Sequence, residues 1–327
     1  MRILIDTTYA RRAPHSGTAV YVERLVQALG PDAVPVWNHR RGGRGGGGLA
    51  SARNLLADRY WEEVELPRLA REHRAEVIHH PLPALTRRPR GARVVITVHD
   101  LAFERLPEMF DARFRRYAQR SHRAAGRLAD TLVCVSETTA RDVRELWGVP
   151  AERIVVARHG PGQELPAVPR ADSSQHFLYV GDREPRKDLA TLLAAHERYR
   201  AQVPDPLPLV LAGAAGDPVG PERLAELYAA AAALVHPSLY EGFGLTLLEA
   251  MGAGTPVIAA RVAGAVEVCG EAAVWFEPGS VEQLADAMAG IDATDAELSA
   301  AGRRRAAEFS WAASAQAHRA AYSLALR

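Results

Sequence analysis

Cysteine is scarce in this chain. Cys134, within TLVCVS, and Cys269, within VEVCG, are the only two among 327 residues. They are too few and too isolated for a disulfide framework or a zinc site, and both read as small buried hydrophobes. The sequence D-x-D occurs nowhere, which removes a carboxylate pair suited to chelating Mg²⁺ or Mn²⁺. A Walker A loop, an HExxH helix and a Ser-His-Asp order signature are missing as well. No segment approaches the roughly 18 consecutive apolar residues of a membrane helix. Asp6, in the opening MRILIDTTYA, interrupts the apolar core that a signal peptide requires, so a cytoplasmic protein is expected. Charge is almost balanced, 40 basic against 39 acidic residues, which argues against a dedicated nucleic-acid binder.

What is present is length and rhythm. At roughly 100–200 residues per domain, the chain is long enough for two cores. Short β-branched runs alternate with helical patterns, the signature of βαβ units and of a doubly wound, parallel-sheet α/β class. The first half offers RILID (2–6), VPVW (34–37), VIHH (77–80), VVITVHD (94–100), TLVCVS (131–136) and IVVARHG (154–160) as strands. Between the first two, Val22, Leu25, Val26 and Leu29 recur at helical spacing and stop at Gly30, a natural cap. The polar stretch PGQELPAVPRADSSQ (161–175) breaks the pattern. A second series then runs through HFLYVGD (176–182), LPLVLAG (207–213), AALVHPS (232–238), TPVIAA (255–260) and AAVWFE (272–277). A last helical pattern, SWAASAQAHRAAYSLAL (310–326), ends the chain.

Basic residues gather at Arg40, Arg41 and Arg44, at Arg87, Arg88, Arg90 and Arg93, and at Arg113, Arg115 and Arg116. They read either as solvated surface or as a face for an anionic or membrane surface. The run RGGRGGGG (41–48) satisfies G-x-G-x-x-G at Gly43, Gly45 and Gly48 only because it is nearly homopolymeric. It follows the second strand rather than the first, and reads as a mobile loop.

The candidate chemistry lies in LVHPSLYEGFGLTLLEAMGAGTPVIAA (234–260), which reads strand, glycine-rich turn, helix, strand. Gly242 and Gly244 let a ligand approach the backbone, and the following helix aims its free N–H groups and positive dipole end into that turn, where a phosphate is the expected guest. Glu241 lies in the turn and Glu249 about one turn into the helix. Because a carboxylate accepts hydrogen bonds from two vicinal hydroxyls, Glu249 reads as a ribose ligand, with an exposed helical glutamate as the alternative. His99 follows a strand at its carboxyl end, where α/β sheets bind ligands, though a lone histidine also suits a core role; Asp100 reads as the cap of the next turn. Gly17, in HSGTAVYVERL (15–25), opens a helix whose free N–H groups suit a phosphate or an acceptor.

Glu241 and Glu249, with seven residues between them in PSLYEGFGLTLLEAMGAGTPV, resemble the E-x7-E motif of the retaining glycosyltransferases of family 4. That family has the GT-B fold, two Rossmann-like domains facing a cleft with a C-terminal helix crossing back to the first. Further matches follow in family order: VVITVHDLAFERLPE (94–108), VSETTARDVRELWGVPAERIVVARHGPG (135–162), YVGDREPRKDL (179–189) and FSWAASAQAHRAAY (309–322). The resemblance implies an N-terminal acceptor-side domain over 1–165, a nucleotide-sugar domain over 172–308 and a crossing helix over 309–327. It implies retaining transfer of a sugar from a nucleoside-diphosphate sugar to an acceptor hydroxyl on a glycan, lipid-linked saccharide or natural product.

By the same resemblance Arg186 and Lys187 carry the donor diphosphate, with Gly17, Gly242 and Gly244 beside it. Glu249 holds the ribose. Glu241, His99, Gly242, Phe243 and Gly244 contact the donor sugar, Glu241 and His99 as the catalytic pair. A lysine point charge and an arginine fork suit a diphosphate whose charge grows as the sugar leaves, so neither a metal ion nor another cofactor is expected. The YVG-x-x-x-PRK-x-L form resembles the family's mannosyltransferases and favours GDP-mannose over UDP- or TDP-sugars. A lipid-linked acceptor and peripheral association with the inner membrane face suit the basic clusters.

Two features depart from the family. A second glycine and an arginine often follow the position of Gly17, where this chain has Ala19 and Val20. Between LPLVLAG (207–213) and PERLAELYAAAAALVHPS (221–238) only AAGDPVG intervenes, where members carry a helix and a further strand. Loss of an interior strand would leave backbone groups unpaired, so the expectation is a missing stretch rather than a reduced sheet. Two other classes stay open: a GT-B-shaped sugar-nucleotide epimerase or phosphorylase, and a non-catalytic nucleotide-sugar-binding subunit that activates a partner.

Overall fold

A computed structural model describes the chain except for residues 15, 43–47, 87–90, 172, 214–218 and 292–294 and the side chains of 48–51 and 295. Gly43, Arg44 and Gly45, the arginines Arg87, Arg88 and Arg90, and most of the AAGDPVG connection therefore lie outside the described residues. The chain divides into two units, one of residues 1–104, 110–158 and 311–327, the other of residues 105–109 and 159–310.

The first unit is built on β1 (Ile3–Asp6), β2 (Ala33–Val36), β3 (Val77–His80), β4 (Arg93–Val98), β5 (Thr131–Cys134) and β6 (Ile154–Val156), all parallel, in the order β2-β1-β3-β4-β5-β6. Ile3, Leu4 and Ile5 are consecutive and all fully buried, as a parallel strand covered on both faces requires. Pro35, which cannot donate to a ladder, is tolerated because β2 is an edge strand. Helix α1 (Gly17–Leu29) starts where the Ser16 hydroxyl accepts the Ala19 N–H, buries Tyr21, Val22, Leu25 and Leu29, and stops at Gly30, whose φ is 63°. Helix α2 (Ala112–Leu128) is capped by the Asp111 carboxylate and carries the 113–116 arginines on an exposed face.

The second unit holds β7 (His176–Val180), β8 (Leu209–Ala212), β9 (Ala231–His236), β10 (Val257–Ala260) and β11 (Val274–Phe276), parallel in the order β11-β10-β9-β7-β8. With it come α3 (Leu189–Gln202), α4 (Leu245–Ala253) and α5 (Ala263–Cys269). Each sheet reverses its winding once, between β1 and β3 and between β7 and β9, and the carboxyl ends at such a reversal are where ligands bind. Because β8 stands at the edge of its sheet, the short AAGDPVG connection removes no interior strand. A further strand would only have extended that edge, so the argument for a missing stretch falls away.

The terminal helix α6 (Trp311–Ala325) belongs to the first unit, where Ala315, Ala321, Tyr322 and Ala325 join the core formed by Ile3, Ile5, Tyr21, Val77 and Val95. A buried polar chain pins it there. The Tyr322 hydroxyl donates to His79 Nδ1 at 2.9 Å, His79 Nε2 donates to Thr97 Oγ1 at 2.8 Å, Thr97 to the Tyr21 hydroxyl at 2.8 Å, and Tyr21 to His318 Nε2 at 2.8 Å. His318 Nδ1 then donates to the Ser314 carbonyl at 2.7 Å. Burial keeps both imidazoles neutral, and with His318 neutral a carbonyl that only accepts fixes the direction of every link.

Burial drives His318 down to about 4 and His79 well below its ordinary value. In the unfolded chain both titrate near 6.5 and so bind protons that the native site refuses. Their contribution to stability is therefore whole above about pH 6.5 and is lost as the pH falls toward 4, by up to about 1.4 kcal/mol per histidine per pH unit. Urea denaturation between pH 7.5 and 5 is expected to show that slope, and His318→Gln to flatten it by about one proton.

Candidate active site

The site in the second unit grows from the two strand ends at the winding reversal. After β7 the chain makes a 3₁₀ turn, Pro185–Lys187, and leaves it through Asp188, a non-glycine residue in the left-handed region at φ 48°, which opens α3. Such backbone is uncommon and gathers at functional sites. β9 ends at His236 and leads into a turn that ends at Gly244, with φ 105°, which opens α4. A hydrogen bond from the Leu239 N–H to the Arg186 carbonyl, 2.8 Å, stitches the two loops together.

The stitching sets charge against charge. Lys187 Nζ donates to Glu241 Oε1 at 2.6 Å, His236 Nε2 to the same oxygen at 3.1 Å, and Arg186 Nη1 stands 3.7 Å from Oε2. Glu241 is only 6% exposed. Burial opposes its ionisation, but Lys187, His236 and Arg186 outweigh that penalty and hold the carboxyl well below the ordinary range. Arg186 and Lys187 are themselves mostly covered, so they are not a solvated surface pair. Lys187 is the only lysine of the chain. Behind the turn, a β-carbon on Gly264 of α5 would collide with the Glu241 carbonyl, so the glycine there lets α5 close on the loop.

Glu249 lies on α4 and is buried, which removes the exposed-glutamate alternative. Its Oε1 accepts the Gln163 N–H at 2.8 Å and its Oε2 the Tyr228 hydroxyl at 2.9 Å. Burial pushes its pKa up, against the pull of those two donors. A β-carbon on Gly162 would strike the same carboxylate. Gly242 and Gly244 lie in the turn at the α4 N-terminus. The Phe243 ring is buried, 5.0 Å from His159 and 5.9 Å from Phe309, and anchors the turn.

His99 and Gly17 fall in the first unit. His99 follows β4, its Nε2–H donating to the Pro81 carbonyl at 2.9 Å, and burial lowers its pKa to about 4, so the ring is neutral at neutral pH. Asp100 accepts the Ala102 N–H and caps the next turn. Gly17 is the first residue of α1. On α2, Arg113, Arg116, Tyr117, Arg120 and Ser121 line, with Leu85, a cavity of about 590 Å³. Among the described residues no helix is long and apolar enough to cross a membrane, and no cluster of three His, Cys, Asp or Glu is arranged to hold a metal ion.

Sequence reasoning missed His236, Tyr228 and Gly162. A signal existed for the first: His236 ends β9 as His99 follows β4, and it stands five residues before Glu241. Tyr228 and Gly162 reach Glu249 through tertiary packing, for which spacing along the chain carries no signal.

Fold and site together define a glycosyltransferase of the GT-B type. A family model described as Glycosyltransferase Family 4 matches residues 15–161, and one described as Glycosyl transferases group 1 matches residues 163–291. The O-antigen chain mannosyltransferase B of Escherichia coli is 30% identical over 255 residues, 67% of either chain. Sucrose-phosphate synthase from Thermosynechococcus elongatus superposes with a TM-score of 0.76 at 20% identity over 99% of this chain and 98% of that one. HepE of Anabaena, in complex with UDP-glucose, does so with a TM-score of 0.73 at 17% identity over 99% and 100%. The chain belongs to glycosyltransferase family 4.

Lys187→Met leaves the Glu241 carboxylate buried with weaker compensation. A destabilisation of about 3 kcal/mol is expected in chemical denaturation, with part of it recovered when Glu241→Gln is added.

Proposed function

We propose that the chain is a retaining, metal-independent glycosyltransferase that takes its sugar from a nucleoside-diphosphate donor. The observation that carries this reading is the ionised Glu241, held by Lys187, Arg186 and His236 beside the N-terminus of α4. Arg186, Lys187 and the positive dipole end of α4 bind the diphosphate and stabilise the charge it gains as the sugar departs, which is why no metal is required. Glu241 stabilises positive charge at the anomeric carbon. Glu249 keeps unused lone pairs on both oxygens for the two ribose hydroxyls. The neutral His99 hydrogen-bonds the donor sugar, and the start of α1 at Gly17 adds N–H groups for phosphate. A mannosyltransferase relative and the PRK loop support GDP-mannose as donor over UDP- or TDP-sugars. The complex of HepE with UDP-glucose supports a nucleotide sugar in general.

The acceptor reading follows from α2. Its residues 112–128 contain six arginines and no acid, with Phe114 and Tyr117 exposed beside them. Such a face suits a lipid-linked acceptor at the cytoplasmic surface of an anionic membrane. Sedimentation with anionic vesicles is expected at low salt and is expected to fade above about 0.2 M. Absence of binding at low salt removes the membrane part and favours a water-soluble acceptor.

Melting shifts with GDP, UDP and TDP identify the donor base, since a ligand stabilises in proportion to the logarithm of its saturation. The two glutamates should then fail differently. Glu249→Ala is expected to weaken donor binding by about 1.5–3 kcal/mol. Glu241→Ala is expected to cut kcat by roughly 10²-fold while leaving nucleoside-diphosphate affinity nearly intact. Near-normal kcat in a folded Glu241→Ala variant overturns its catalytic role. Turnover that is abolished by EDTA and restored by Mg²⁺ overturns metal independence.

A further inference from the structure

His99 is held on three sides. The Pro81 carbonyl takes its Nε2–H at 2.9 Å, the Thr139 hydroxyl donates to its own carbonyl at 3.2 Å, and the Tyr21 ring meets its imidazole edge-on, centroids 4.8 Å apart at 83°. Tyr21 is fully buried, and its one hydroxyl is clamped between Thr97 and His318. Thr97 lies on β4, two residues before His99. His318 lies on α6, almost three hundred residues after Tyr21. The aromatic wall of His99 is thus oriented by a side chain of the terminal helix.

We propose that Tyr21 and His318 are positioning residues for His99, so that the terminal helix takes part in sugar transfer and does more than cover the sheet. The proposal rests on the reading of His99 as a donor-sugar contact. Its physical content is rotational. Pro81 holds one ring nitrogen of His99, and the Tyr21 ring packs edge-on against the imidazole and opposes its rotation. The hydroxyl of Tyr21, held at both Thr97 and His318, keeps that ring in place. Small errors in the placement of a group that acts in the transition state appear in kcat more than in donor affinity.

The structure supplies its own control. Tyr322→Phe keeps its ring and removes the first link of the same polar chain, to His79, while both hydrogen bonds of the Tyr21 hydroxyl lie further along that chain. Tyr21→Phe keeps the ring and removes the clamp, and His318→Ala removes the residue that closes it. The sugar nucleotide hydrolysed fastest among GDP-mannose, UDP-glucose and TDP-glucose serves as probe. Tyr21→Phe and His318→Ala are expected to lower kcat about tenfold with KM within about twofold, whereas Tyr322→Phe loses comparable melting temperature and keeps its kcat. In a His99→Ala background Tyr21→Phe should have no further effect. Equal kcat losses in Tyr21→Phe and Tyr322→Phe, or independent multiplication of the Tyr21 and His99 effects, overturn the proposal.

Near-normal turnover by His99→Ala alone would instead sink the sugar-contact reading. The positioning claim is then judged by the ring-nitrogen NMR signals of histidine-labelled protein. Tyr21→Phe and His318→Ala should move those of His99 and Tyr322→Phe should not; unmoved His99 signals in Tyr21→Phe overturn it.

Discussion

Parallel pairing is the constraint from which the rest follows. Two parallel strands cannot be joined by a tight turn, so every connection must cross the sheet, and the crossing helices cover both faces. In each unit this leaves the strand ends as the places where side chains can meet a ligand. At the reversals of winding, neighbouring loops diverge and open a crevice. Arg186 and Lys187 leave one such strand end, and His236 and Glu241 the next, because β7 and β9 are sheet neighbours although about fifty residues separate these pairs. The charge cluster is a product of topology before it is a product of sequence.

Within that frame the local chemistry is set by burial. A carboxylate as covered as Glu241 would ordinarily take up a proton; three nitrogen donors reverse the outcome. Glu249, on the helix that follows the Glu241 turn, is covered just as fully but meets a backbone amide and a phenol, and its pKa moves the other way. Two glutamates on one turn-and-helix unit thus acquire opposite acidities from their neighbours alone. The first unit shows the neutral counterpart, in which His79, Thr97, Tyr21 and His318 are buried with every donor matched to an acceptor, and burial then keeps both imidazoles uncharged.

Much of this was legible in the order of residues. The strands follow from β-branched runs bounded by glycine, proline and polar residues, and every run named from the sequence forms a strand. The turn after β9 was legible because glycine at Gly244 is required by a positive φ. What stayed hidden depends on contact across the chain. No pattern along the sequence says that Lys187 lies against Glu241, that Tyr228 reaches Glu249, or that the Phe243 ring meets His159. The short connection after β8 misled for a related reason: only the order of strands in the sheet, which the chain does not spell out, tells an edge from an interior.

Of the forty basic residues, one is a lysine, and it sits where a compact ammonium fits against a buried carboxylate. Apart from the chain's own amino terminus, the protein therefore presents a single amine to acylating or alkylating reagents. Chemistry that decorates most proteins at many surface positions becomes, on this one, a titration of one side chain. That side chain is shielded by Glu241, so the rate of its modification would report how often that ion pair opens.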